Sequence, residues 1–151
     1  MQADLKVFRA FGIHGLSVPA VLTAQNTSGV GEIFPVGQDF FRAQLDLLLE
    51  DITPDALKTG MLYSLWAVEA VAERMRARAL QNLVIDPVTV SSTGQSLVEE
   101  GTLDRIRDLL FPLARVVTPN IYEAAVLAGL NIEGEEEMRE AAVKLKEMGP
   151  E

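Results

Sequence analysis

Cysteine is absent from this chain, and histidine occurs once, at His14. No disulfide, thiolate metal site or cysteine nucleophile is therefore available within it. A multi-histidine zinc site or a histidine-pair mechanism is equally excluded. Basic residues are in deficit, with 13 Lys and Arg against 22 Asp and Glu and a net charge of -9. That balance argues against a nucleic-acid partner, although helix N-termini and a cation can still hold a phosphate locally. No apolar run is long enough to span a membrane. Met1-Gln2-Ala3-Asp4-Leu5-Lys6 lacks the basic segment and apolar run of a secretory signal. The expected setting is cytoplasmic. A Walker-type Gly-rich loop with its Lys is missing too.

What remains is an ordinary globular composition, 48% hydrophobic and 23% charged over 151 residues. That is enough for one domain, residues 1–151, with a real core. Leu5, Phe8 and Phe11 lie at helical spacing, and Gly12 stops that helix, so Ala3 to Phe11 is expected to be helical. Leu16 to Thr23 reads as a buried strand and Asn26-Thr27-Ser28-Gly29 as a turn. Val30 to Val36, with Gly31 and Pro35, reads as a short strand or flap. Asp39 to Asp51 predicts an amphipathic helix, with Phe40, Phe41, Leu45, Leu48 and Leu49 inward and Asp39 or Gly37 as cap.

Ala56 to Gly60 predicts a short strand running into a turn, and Ser64 the cap of a helix through about Arg78. Leu83 to Ile85 and Val116-Val117 read as strands. Val98 to Leu110, Ile121 to Ala128 and Glu135 to Met148 read as helices. Such alternation predicts parallel βαβ units in an α/β layered fold. A strand is expected before the first helix and another after Gly149-Pro150-Glu151, so both ends read as cut.

The residues able to carry chemistry sit at strand ends, where open α/β sheets bind ligands. In Leu83-Val84-Ile85-Asp86-Pro87-Val88, proline cannot continue the ladder, so Asp86 is presented at the sheet edge. A carboxylate there can hold Mg²⁺, or simply cap a loop, the commoner role of Asp-Pro. In Val117-Thr118-Pro119-Asn120, followed by Glu123, the spacing fits a capping box as well as a second acidic group. Capping is the simpler reading of that spacing. Gln25, in Leu22-Thr23-Ala24-Gln25-Asn26-Thr27, offers an amide suited to a heteroaromatic ring, or belongs to a solvated turn. Met61, in Lys58-Thr59-Gly60-Met61-Leu62, either lines an apolar pocket or belongs to the core. Ser91-Ser92-Thr93-Gly94 is a generic polar loop able to offer N–H groups to phosphate. His14 reads as part of a surface turn.

Taken together, these segments resemble the hydroxymethylpyrimidine/phosphomethylpyrimidine kinases of thiamine biosynthesis, within the ribokinase-like superfamily. The resemblance rests on Gln2-Ala3-Asp4-Leu5-Lys6, the Gln25 and Met61 segments, Asp86-Pro87-Val88, and Thr118-Pro119-Asn120 with Glu123. These occur in the family's order over essentially the whole chain. The resemblance implies an α/β ribokinase-like layered fold with a mostly parallel central sheet flanked by helices, here incomplete. It implies a Mg²⁺-dependent kinase with ATP as phosphoryl donor, acting on 4-amino-5-hydroxymethyl-2-methylpyrimidine and then on its monophosphate.

By the same resemblance Gln25, Met61 and Val88 bind substrate, Asp86 and Glu123 hold the metal, and Asn120 lies on the cofactor side. Val30 to Val36 would be the flap beside the substrate pocket. Homodimers are implied, as small-molecule enzymes without nucleic-acid or membrane partners. Pyridoxal kinases are built similarly, so B6 vitamers are a second substrate class. The family's first strand and Gly-rich segment, its Gly-Thr-Gly-Cys anion hole and most of its ATP region have no counterpart here. The expectation is therefore a partial kinase domain with no catalytic residue of its own. The alternatives are a non-catalytic pyrimidine-binding module and a truncated product without independent function.

Overall fold

The computed structural model describes residues 1–90 and 96–151; the Ser91-Ser92-Thr93-Gly94 segment lies outside them. The elements follow in the order α1 (Gln2–Ala10), β1 (Val21–Asn26), β2 (Gly29–Pro35), α2 (Gln38–Asp51), β3 (Leu57–Thr59) and α3 (Leu65–Ala77). They continue with β4 (Leu83–Ile85), α4 (Thr102–Leu109), β5 (Ala114–Val117), α5 (Ile121–Ala128) and α6 (Glu135–Glu147). A short 3₁₀ turn, Phe111–Leu113, leads into β5.

Three strands form a parallel sheet in the order β3-β4-β5. Parallel neighbours need long crossovers, and α3 and α4 supply them. β4 is central, and its Leu83 and Ile85 are fully buried, as expected of a strand covered on both faces. The core is organised around α3. Ser64 sets the start in extended conformation, and no Gly or Pro interrupts the run to Ala77. Ala67, Val68, Val71, Ala72 and Met75 then recur at helical spacing and are buried. They join Phe41 and Leu45 of α2, Ile106 of α4, and Leu110 and Phe111 beyond it in one apolar cluster. Phe41 meets Trp66 edge to face, with ring centroids 5.6 Å apart. Each fully buried side chain of this size contributes about 1.5–3 kcal/mol.

Several expectations need correction. Leu16 to Thr23 is not a buried strand. The strand begins only at Val21, after Pro19, which cannot donate to a ladder. It pairs antiparallel with β2 in a separate two-stranded sheet. Among the described residues no third strand covers the ribbon, and Leu22 and its cross-strand partner Phe34 are exposed, at 52% and 64%. The βαβ alternation therefore begins at β3, not at residue 16. In α2, the residues Phe41, Leu45 and Leu49 recur every four positions and face inward, whereas Phe40 is turned to solvent at 66% exposure. Gly37 is the N-cap of that helix. The helix expected over Val98 to Leu110 starts at Thr102, because Gly101 takes a left-handed conformation, φ 79°. That conformation cannot propagate a right-handed helix.

Candidate active site at the carboxyl edge of the sheet

The ends of the three parallel strands are staggered. The Asp86 N–H donates to the Thr59 carbonyl at 3.0 Å, and the Thr118 N–H donates to the Ile85 carbonyl at 2.8 Å. Each strand thus secures the first residue beyond its neighbour. Pro87, fully buried, offers no N–H to carry the ladder on. A tight turn follows, with the Val88 N–H donating to the Asp86 carbonyl at 2.8 Å.

Asp86 is left at the edge with its side chain 32% exposed, and one oxygen, Oδ2, lies 3.0 Å from Lys58 Nζ. Lys58 pairs in register with Val84, two positions before Asp86, so the side-chain alternation of strands brings Lys58 and Asp86 to one face. The same ammonium lies 2.9 Å from Asp4 Oδ1 on α1. Burial alone would push the Lys58 ammonium down, but the hydrogen bonds and charges of Asp4 and Asp86 together outweigh it and raise it above the ordinary lysine value. Asp4 is held below the usual carboxylate range by the N-terminal ammonium of Met1 and by Lys58.

One strand further, Asn120 caps α5. Its backbone is extended, and its Oδ1 accepts from the Glu123 N–H at 3.0 Å. Glu123 Oε2 accepts from the Asn120 N–H at 2.9 Å. The reciprocal pair is a complete capping box. Glu123 does more than cap. It is 4% exposed, and its Oε1 accepts from the Thr89 N–H, in the loop after β4, at 3.4 Å. One buried carboxylate therefore joins the chain segments that follow β4 and β5.

Met61 and Val88 are half-buried two and three residues beyond β3 and β4, so both stand at the same edge as Asp86. Gln25 stands elsewhere. It is exposed on the hairpin next to an irregularity between Ala24 and Gln25, and its Oε1 accepts from the Thr23 hydroxyl at 3.0 Å. An open depression of about 550 Å³ lies at that end of the hairpin, lined by Gln25, Asn26, Val30 and Gly31 among others. A separate groove of about 460 Å³ runs between β5, α5 and α6, with Asn120 on its rim. Among the described residues no three acidic or histidine side chains converge as a metal cage. His14 is exposed, outside any strand or helix.

Two members of the edge, Lys58 and Asp4, lie in segments that the sequence reading quotes without giving either residue a role. Lys58 was legible, because strand register places it beside Asp86. Asp4 was not, since no spacing rule tells where α1 packs against the sheet.

A parallel sheet with an acidic strand end beside a capped helix start, and a separate antiparallel hairpin, defines an α/β protein of the ribokinase-like class. Solved structures agree. The phosphomethylpyrimidine kinase of Clostridium difficile 630 superposes with a TM-score of 0.89 at 35% identity, covering 99% of this chain and 64% of that one. A Staphylococcus aureus pyridoxal kinase in complex with pyridoxal gives 0.88 at 32% identity, covering 99% and 54%. The sequence profile described as phosphomethylpyrimidine kinase matches residues 1–151, and the chain belongs to that family. Among curated relatives, the thiamine biosynthesis bifunctional protein ThiED of Geobacter sulfurreducens is 45% identical over 149 residues, 99% of this chain and 30% of that protein. The hydroxymethylpyrimidine/phosphomethylpyrimidine kinase of Bacillus subtilis is 36% identical over 149 residues, 99% and 55% respectively. The chain spans about half the length, or less, of these curated relatives.

Proposed function

We propose that this chain is the substrate-side part of an ATP-dependent kinase. The reaction is phosphorylation of the hydroxymethyl oxygen of 4-amino-5-hydroxymethyl-2-methylpyrimidine, then phosphorylation of the monophosphate, in thiamine diphosphate biosynthesis. The observation that carries this reading is family membership over residues 1–151, with Asp86 and Glu123 at adjoining strand ends. In phosphoryl transfer a protein chiefly positions groups and stabilises charge. Rigid strand ends suit that task.

The donor set fits Mg²⁺ at Asp86. The carboxylate stands at an open edge and already faces a cation, the Lys58 ammonium. Mg²⁺ is held by one or two carboxylates completed by phosphate oxygens and water. When bound it neutralises charge on the phosphate oxygens. Asp86 would hold the ion, with Glu123 as the second acidic group. Glu123 has both oxygens committed to backbone N–H groups, which favours a rigid, water-bridged role. Asn120, on the rim of the β5 groove, is assigned to the cofactor side. Gln25 would read the aminopyrimidine through its amide, with Met61 and Val88 as apolar walls. The proposal includes a homodimer and a cytoplasmic setting; among the described residues no helix is long and apolar enough to cross a membrane.

A pyridoxal kinase is the second reading, favoured by the fold likeness to the Staphylococcus aureus enzyme. Calorimetric titration of the chain with the pyrimidine and with pyridoxal separates the two. Tighter binding of the pyrimidine, weakened about tenfold by Gln25→Leu through loss of hydrogen bonds, is the expected result. Preference for pyridoxal reverses the assignment, and no binding of either at millimolar concentration overturns the substrate-side reading.

A further inference from the structure

We infer that Lys58 is the resident counter-cation of Asp86, a positioning residue that a divalent cation must displace toward Asp4 before it can use the Asp86 carboxylate. The inference rests on the reading of Asp86 as a cation-holding group and adds what controls access to it.

Three observations support it. First, the ammonium is shared between two carboxylates at nearly equal distance, 2.9 Å to Asp4 and 3.0 Å to Asp86. Loss of one contact leaves the other in place, so the charge can shift without returning to water. Second, the carboxylates come from different parts of the fold, Asp4 from α1 and Asp86 from the turn after β4. The Lys58 ammonium bridges these two anions, which would otherwise repel each other, while Asp4 also meets the N-terminal ammonium of Met1 at 2.8 Å. Third, the Lys58 stem is anchored by β3, which is hydrogen-bonded to β4 in register, so the ammonium is delivered to this point rather than swinging freely.

Mg²⁺ demands near-ideal octahedral oxygen coordination. An ammonium against Asp86 Oδ2 blocks one side of the carboxylate and repels an incoming divalent ion. Moving Lys58 wholly onto Asp4 clears that side of the carboxylate and weakens the repulsion. Lys58 then does two things: it keeps the Asp86 side chain oriented while no metal is present, and it sets how much cation is needed to engage it.

Mn²⁺ titration of this chain, followed by the electron paramagnetic resonance signal of the free ion, tests the inference with no reliance on turnover. Lys58→Met should bind Mn²⁺ about tenfold more tightly than the wild type, from loss of one repelling charge. Lys58→Arg, which keeps the charge, should stay near wild type. Asp86→Asn should lose most of the binding. A second measurement needs no variant: acylation of lysines by acetic anhydride, read by mass spectrometry with and without Mn²⁺. Lys58 labelling should rise on adding the ion while Lys144 and Lys146 stay constant. Unchanged or weaker binding by Lys58→Met, or constant Lys58 labelling at saturating Mn²⁺, overturns the inference while leaving Asp86 as a ligand. Undiminished binding by Asp86→Asn removes the Asp86 reading and the inference together.

Discussion

Glu123 and Asn120 grip each other across the first turn of α5: each side-chain oxygen accepts the other residue's backbone N–H, at 2.9 and 3.0 Å. The other oxygen of Glu123 accepts a second N–H, from Thr89. A neutral amide can replace one of these acceptors but not both, because its NH₂ would face the Thr89 N–H. We therefore expect Glu123→Gln to cost about 1 kcal/mol and Glu123→Ala about 2 kcal/mol, from an unmade cap and a buried donor left unpaired. Urea denaturation gives both values. Amide exchange adds the decisive detail, since Thr89 should lose protection in both variants. If Thr89 exchanges as in the wild type, Glu123 is a cap and no more.

The Asp4–Lys58–Asp86 chain of charges makes stability depend on pH at both extremes. Asp4 is lowered from the ordinary 3.8, so its contribution is complete above that value and disappears as acid takes the pH down through the lowered one. Lys58 is raised above 10.5, so its contribution is complete below that value and disappears as the pH climbs through the raised one. Denaturation midpoints measured against pH should show Lys58→Met losing the alkaline dependence and blunting the acid one. Both groups are partly exposed and the effect should shrink with salt; a variant curve parallel to wild type at both ends would refute the assignment.

Phe41 and Phe40 are neighbours with opposite fates. Phe41→Ala should cost about 3–5 kcal/mol through the cavity it opens beside Trp66, a large share of the whole stability of a domain this size. Trp66 fluorescence reports the change directly. Phe40→Ser should stay within about 0.5 kcal/mol of wild type, as surface changes do. Similar losses in the two variants would mean that α2 packs in another rotation.

Gly101→Ala isolates backbone conformation from packing. A methyl group there meets nothing nearer than Leu65 Cδ2 at 3.8 Å, so space is available. The left-handed φ of 79° remains, and it should cost about 1–2 kcal/mol. Thermal unfolding is sufficient to see it. No loss would place the start of α4 earlier, in the Val98 to Glu100 stretch.

Much of the parallel portion was legible because its signals are local. Ile121–Ala128 matches its expected bounds: Asn120 and Glu123 mark the start by chemistry that operates within a few residues, and the structure ends the helix at a left-handed Gly129, φ 63°. α3 was legible from Ser64 and the recurrence of Val68, Val71 and Met75. The hairpin was half legible: Gly31 and Pro35 marked a flap, but the β-branched run before Thr23 looked like core. Whether an apolar run is covered depends on which element lies over it, and nothing in Leu16 to Thr23 encodes that. The same limit applies at the site. Asp86 and Glu123 could be placed at strand ends from sequence, and Lys58 follows from strand register. The partnership of Asp4 and the reach of Glu123 to Thr89 are facts of tertiary packing.

The hairpin that carries Gln25 is a ribbon of two strands, a form that is barely stable by itself in water. Its outer face presents Leu22 and Phe34 to solvent. Regions with few buried contacts open at the lowest free energy. If Gln25 reads the substrate, recognition comes from a lightly buried ribbon, whereas Asp86 and Glu123 stand on the packed parallel sheet. Binding must then carry an ordering entropy, visible as an affinity that falls on warming and as hairpin amides that slow their exchange only when the ligand is present.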